Sequence, residues 1–214
     1  MSLSDLRLRW HVFRCRKKSD TSTRYLMELA RCVANCPVQD DPAPILEIGT
    51  RSGGSALLIL RIIDAVYRKS DVKPYVLTID PYGMRPYEGE PFVYDAKHYG
   101  EMKQNLNSYT NHVHYMMDSE LFLSLIDKLY VWDKAERAKI DRFTLVYLDG
   151  SHDPDIVWAE MQQLLPKVIP GGFLIIDDTD WFDGEVKKRL DGLDPTISFT
   201  IRHSGKHSII QKSV

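Results

Sequence analysis

Residues 45–55 read Ile-Leu-Glu-Ile-Gly-Thr-Arg-Ser-Gly-Gly-Ser, and this stretch decides the fold. Four residues with strand character stop at Gly49, and Gly53-Gly54 opens a helix carrying Leu57, Leu58, Leu60, Ile62, Ile63 and Val66 on an apolar face. A continuous apolar strand that turns on glycine into an amphipathic helix is the start of a βαβ unit, whose strand is buried on both faces. Working outward, the same alternation recurs. Strands are expected at Tyr75–Ile79, His112–Met117, Phe143–Leu148 and Gly172–Ile176, with helices near 96–108, 119–130, 154–166 and 185–190 between and after them. The end differs: Ile197–Arg202 and His207–Lys212 flank Ser204-Gly205, which suits a tight hairpin and makes the last strand antiparallel. The expected class is therefore α/β, a doubly wound and mostly parallel sheet closed by an antiparallel C-terminal hairpin strand.

Before this alternation, residues 1–36 read as an N-terminal helical extension, with Leu26, Leu29, Ala30 and Val33 at helical spacing behind Ser22 or Thr23. Pro37–Pro44 holds three prolines and two acids and breaks the chain. Residues 37–214 then form the main domain. Residues 82–99, with Tyr82, Tyr87, Phe92, Tyr94 and Tyr99, are expected to be an insert serving as a lid or acceptor-recognition segment.

Composition narrows the function classes. With 28 Lys plus Arg against 30 Asp plus Glu, the formal charge of −2 offers no basic stripe for nucleic acid. The cluster Arg14, Arg16, Lys17 and Lys18 reads as a solvated helix face. No apolar run reaches the ~18 residues of a membrane span. Three cysteines, Cys15, Cys32 and Cys36, form no paired framework, and the first residues lack a secretory pattern, so a reducing, cytoplasmic setting is expected.

Ligands of open α/β sheets sit at the carboxyl ends of the strands. Here those ends carry Glu47, Asp80, Asp118, Asp149, Asp177 and Asp178. Lining one rim with carboxylates costs repulsion unless a cation or a hydroxyl-rich ligand shares the space. Each acid alone has an ordinary reading: Asp149 as a helix cap, Asp80 as a turn former before Pro81, Asp177-Asp178 as a solvated turn. Their convergence does not. The 45–55 loop matches neither G-x-G-x-x-G nor the P-loop, so a nicotinamide-dependent oxidoreductase ranks below the reading that follows, as does a non-catalytic binding module.

The loop, the acid closing the second strand and the terminal hairpin resemble the class I S-adenosylmethionine-dependent methyltransferases. Val146-Tyr147-Leu148-Asp149-Gly150-Ser151-His152 followed by Pro170-Gly171-Gly172-Phe173-Leu174-Ile175-Ile176-Asp177-Asp178 resembles their metal-dependent O-methyltransferases, most closely the macrocin and mycinamicin sugar O-methyltransferases. The resemblance runs from about Pro44 to the C-terminus. It implies a Rossmann-like seven-stranded sheet and methyl transfer from S-adenosylmethionine to a hydroxyl of a small molecule. It places Asp149, Asp177 and Asp178 on Mg²⁺ (or another hard divalent cation) and His152 as general base. Glu47, Gly49 and Asp80 fall on cofactor contacts, Asp118 near the adenine, with Arg51, Gly53 and Ser55 shaping the same loop. Catechol-type relatives carry Asp-Asn where this chain has Asp177-Asp178, which favours the sugar-methylating branch. N-terminal helices of such enzymes often pack between subunits, so a homo-oligomer is an expectation, without nucleic-acid or membrane partners. Trp181, just beyond the acids, is the candidate wall of the acceptor pocket.

Overall fold

A computed structural model describes residues 3–19, 21–39, 41–70, 72–83, 96–133, 136–193 and 199–214. Its sheet is built from β1 (Ile45–Ile48), β2 (Val76–Ile79), β3 (His112–Tyr115), β6 (Phe143–Leu148), β7 (Val168–Ile176), β8 (Phe199–Ser204) and β9 (His207–Lys212) in the order β3-β2-β1-β6-β7-β9-β8. The first five strands in that order run parallel, whereas β9 is antiparallel to both β7 and β8. This is the seven-stranded, mostly parallel sheet expected from the sequence.

Between the strands lie α3 (Gly54–Val66), α4 (Ala96–Leu106), α5 (Ser119–Leu125), α6 (Pro154–Leu164) and α7 (Glu185–Asp191). Every residue of β1, β2 and β6 is buried, as strands covered on both faces must be. One core layer joins α3 to the N-terminal helices α1 (Leu3–Cys15) and α2 (Thr23–Asn35) through Val12, Cys15, Leu26, Leu29, Ile59 and Ile63. The opposite layer packs Phe122, Ile126, Met161 and Leu164 against Leu46, Val146 and Leu174. α1 turns Leu8, His11, Val12 and Cys15 inward and leaves Leu6, Trp10 and Phe13 exposed.

Two boundaries differ most from the periodicity. The helix expected to run from Ser119 to about Tyr130 stops at Leu125. A 3₁₀ turn follows, and then an antiparallel hairpin of β4 (Tyr130–Asp133) and β5 (Glu136–Lys139) outside the main sheet. β7 begins at Val168 rather than Gly172, because Val168 pairs with Phe143 across a register shift before Leu145 meets Phe173. β8 is described from Phe199 onward; residues 194–198, with the expected strand start Ile197, lie outside the described residues. So do residues 84–95 of the proposed insert, including Tyr87, Phe92 and Tyr94.

The strand order reverses between β1 and β6, where the backbones come into contact. Gly49 has φ +92°, and a Cβ there would lie 2.0 Å from the Asp149 carbonyl oxygen. Only glycine tolerates both the left-handed backbone and that approach. Asp149 N in turn donates to the Ile48 carbonyl at 2.8 Å, and Gly49 N to the Ile79 carbonyl at 2.9 Å. Gly49→Ala is therefore expected to lose about 3 kcal/mol or more of stability in urea unfolding. An unchanged midpoint would show that the two loops do not need this contact.

Candidate active site

One cavity of about 1500 Å³ opens over the carboxyl ends of the strands. It is lined by the 49–55 loop, by Asp80 and Asp118, and by Asp149, His152, Asp177 and Asp178. Residues from distant parts of the chain thus share one space, as the acid-lined rim predicted.

The glycine-rich loop is fastened from outside. Asp80 Oδ2 accepts from Thr50 N at 3.1 Å and Arg51 N at 2.8 Å, and Oδ1 accepts from Tyr82 N at 3.0 Å. These bonds hold Arg51 (φ 45°) and Tyr82 (φ 40°) in left-handed conformations that a side chain disfavours. The Tyr82 hydroxyl also donates to the Arg51 carbonyl. Asp80 is therefore first a loop clamp; burial raises its pKa while the Arg51, Tyr82 and Thr50 amides oppose the rise. Gly53 (φ +75°) caps α3, and Gly54 admits the Lys18 carbonyl, which would lie 2.2 Å from a Cβ. The N-terminal segment so closes over the loop, and Lys17 and Lys18 line the cavity.

Glu47, inside β1, is fully buried, and neither carboxylate oxygen has a hydrogen-bond partner among the described residues. Burial pushes its pKa up to about 8; the Ser55 hydroxyl opposes the rise without completing a hydrogen bond, and Asp80 adds to it. Asp118 caps α5, accepting from Leu121 N at 2.8 Å. Asp118 lines the cavity, whereas Glu47 lies in β1 beneath Ile48 and Gly49, which do. A buried, unpaired carboxylate beside a cavity of this size is consistent with a polar ligand there.

The acid cluster sits at the other end. One oxygen each from Asp149, Asp177 and Asp178 lies within 4.8 Å of the others. This all-oxygen set suits a hard divalent cation. Protein cations already reach two of the three. Lys206 Nζ lies 3.0 Å from Asp177 Oδ1 and 2.8 Å from Asp178 Oδ1. His207 Nε2, buried in β9, lies 3.1 Å from Asp177 Oδ1, and the Tyr147 hydroxyl donates to Asp177 Oδ2 at 2.9 Å. Burial drives the Asp177 carboxyl upward, but His207 and Lys206 overcome it and hold the group well below the usual carboxylate range. Asp178 moves the same way, burial being outweighed by His152 and Lys206. Asp149 goes the opposite direction, raised well above its ordinary value by burial and by the neighbouring charges of Asp177 and Glu47.

His152 Nε2 lies 2.9 Å from Asp178 Oδ2, and its ring stacks on Trp181 with centroids 4.0 Å apart. Trp181 keeps 47% of its surface exposed and lines the cavity, so a flat apolar face stands beside the candidate base. Sequence reasoning missed Lys206, His207, Tyr147 and Glu160. His207 stood at the start of the expected last strand without a role, and Tyr147 lay inside a quoted motif, also without one. Lys206 sits in a hairpin turn whose only signal was Ser204-Gly205.

Residues 46–179 match the protein family described as methyltransferase domain. The chain belongs to that family. The nicotinamide reading gives way to it. No curated protein sequence matches. Among solved structures, the chain is similar to the O-methyltransferase NovP, with 17% identity and TM-score 0.64 over 92% of this chain and 83% of that one. An O-methyltransferase from Bacillus cereus in complex with SAH shares 18% identity at TM-score 0.60, covering 100% of this chain and 92% of that one. The O-methyltransferase TomG from Streptomyces achromogenes, in complex with SAM, shares 15% at TM-score 0.58, covering 100% and 91%. These likenesses establish the methyltransferase fold of the sheet. Among the described residues, no helix is long and apolar enough to cross a membrane.

Glu160 on α6 also lines the cavity, and burial pushes its carboxyl from 4.5 up to about 7, with the Ser119 hydroxyl opposing. An acid whose folded pKa is raised contributes its full stability below the unfolded value and loses it as pH rises to the folded one. Glu160→Gln is therefore expected to gain stability over the natural chain between about pH 5 and about pH 8, by up to about 3 kcal/mol. Parallel urea curves for the two proteins at both pH values would contradict the burial cost.

Proposed function

We propose that this chain transfers a methyl group from S-adenosylmethionine to a hydroxyl oxygen of a small molecule, with a sugar or another polyol as the acceptor class. The observation that carries the reading is that a single cavity joins the 49–55 loop to the Asp178–His152 pair. The family match and the printed cofactors of the similar O-methyltransferases support it. Metal assistance, the acceptor class and the macrocin-like branch rest on the acid set and the sequence resemblance.

In this reading the sulfonium supplies an already activated methyl carbon, and the protein aligns oxygen, carbon and sulfur. Glu47, Gly49, Arg51, Gly53 and Ser55 shape the donor lobe, with Asp80 toward the ribose and Asp118 toward the adenine. Asp149, Asp177 and Asp178 would hold Mg²⁺, which when bound lowers the pKa of a coordinated hydroxyl. His152 accepts the departing proton. With Nε2–H donated to Asp178, Nδ1 is the basic nitrogen, and Asp178 stabilises the imidazolium that results. Trp181 gives the acceptor an apolar face and keeps the imidazole in place.

Loss of the base at constant binding is the expected signature. His152→Ala should lower methyl transfer to a responsive polyol by about 10²–10⁴-fold, with S-adenosylmethionine affinity by calorimetry unchanged. Asp80→Ala should do the reverse, weakening cofactor binding first because the loop is released. Chelation of divalent ions should depress turnover and leave cofactor affinity intact. Absence of any S-adenosylmethionine binding to the natural chain would remove the enzymatic reading altogether.

A further inference from the structure

We propose that Lys206 is the built-in counter-cation of the acid cluster, so that a divalent ion enters only by displacing its ammonium from Asp177 and Asp178. The inference deepens the metal part of the functional reading and rests on it.

The argument is one of lone pairs. A carboxylate offers about four acceptor sites on its two oxygens. Asp177 Oδ1 already faces Asp178 N at 2.8 Å, Lys206 Nζ at 3.0 Å and His207 Nε2 at 3.1 Å, three neighbours for two lone pairs, while Oδ2 accepts from the Tyr147 hydroxyl at 2.9 Å. On Asp178, Lys206 takes Oδ1 and His152 takes Oδ2. Of the three cluster members, Asp149 alone has no hydrogen-bond donor on its carboxylate among the described residues. A small divalent ion needs ligand oxygens at about 2.0–2.1 Å with open positions for water. On the crowded Asp177 Oδ1 a neighbour must leave to provide one.

Lys206 is the donor able to leave. The Asp178 amide is backbone, and Tyr147 and His207 are fully buried in the sheet. The lysine reaches the cluster on a flexible stem from the cavity side, with 22% of its side chain exposed. Its backbone, by contrast, is fixed. The Lys206 amide donates to the Tyr25 hydroxyl at 3.1 Å, and its carbonyl accepts from Thr179 N at 2.8 Å and Thr179 Oγ1 at 2.9 Å. Gly205 (φ +61°) lets the turn press on Tyr25, whose hydroxyl would lie 2.3 Å from a Cβ at that position. A solvated surface lysine needs no such anchoring. The turn delivers one positive charge to the two adjacent carboxylates, and the Tyr25 ring, 5.3 Å from Nζ, offers the ammonium a second resting contact.

The test is titration of the purified full chain with Mn²⁺, a paramagnetic hard cation, reading the free ion by electron paramagnetic resonance. Lys206→Met is expected to bind Mn²⁺ at least about fivefold more tightly than the natural chain, and Lys206→Arg, which keeps the charge, no more tightly. Adding Asp149→Asn to Lys206→Met should remove the gain, which locates the ion at the cluster. Thermal unfolding and binding of S-adenosylhomocysteine check that each variant is folded, and Lys206→Gln carries the same comparison if Lys206→Met does not fold. A smaller gain in a protein that binds Mn²⁺ measurably overturns the lysine's role and leaves the metal reading standing. If neither protein binds Mn²⁺ while both bind S-adenosylhomocysteine, the metal reading falls with it.

Discussion

The contact between Gly49 and the Asp149 backbone is the constraint on which the site depends. β1 and β6 are the strands between which the chain order reverses, and the loops leaving them must diverge to make a crevice. They diverge from a point where no side chain fits, with a Cβ at Gly49 reaching 2.0 Å from the Asp149 carbonyl. That closeness sets the donor loop and the acid cluster at neighbouring strand ends rather than on separate rims. The same economy appears one turn on, where Gly54 lets the Lys18 carbonyl approach α3. Through it the segment between α1 and α2 becomes a wall of the cavity, and the core side chains of those helices pack in the same layer as α3.

Gathering Glu47, Asp149, Asp177 and Asp178 in a largely buried space is electrostatically expensive. The structure answers unevenly. Asp177 and Asp178 receive Lys206, His207, His152 and Tyr147, and their charged forms are favoured. Glu47 and Asp149 receive no comparable donor and are pushed toward the protonated form. The result is a gradient along the strand ends, from a compensated anionic pair beside β9 to uncompensated carboxyls within β1 and after β6. Ligands that bring donors or positive charge relieve the second group. That is a physical reason why the proposed pair, an aminoacyl sulfonium donor and a hydroxyl acceptor, would suit this rim.

Much of this was legible in the residues. Ile45–Ile48 and Phe143–Leu148 were readable as strands because each is an apolar run ended by an acid or glycine, with no competing helical period. The gathering of Asp149, Asp177 and Asp178 was readable because strand ends in an α/β sheet converge, whereas His152 entered only through the resemblance. The hairpin β4–β5 was not, since two four-residue strands leave little apolar alternation to find. The start of β7 was hidden by Pro170 and Gly171, which look like a turn and instead sit within the strand at its register shift.

Lys206 shows a different kind of illegibility. A metal-ligand pattern in sequence records the acids and says nothing about their counter-charge, which can come from any element that folds against them. Here it comes from the turn between β8 and β9, held by Tyr25 of α2 and Thr179 beyond β7. Three segments far apart in the chain thus fix one ammonium, and only their packing reveals it. The antiparallel hairpin, first read as a mark of fold class, is also what brings this charge to the active rim. Because β9 pairs with Leu174–Ile176 of β7, register alone puts His207 beside Asp177 and the turn above Asp178. A two-residue slip of that pairing would keep the core face buried yet carry the lysine about 7 Å away from both acids. The sheet register and the charge balance of the site are therefore one constraint.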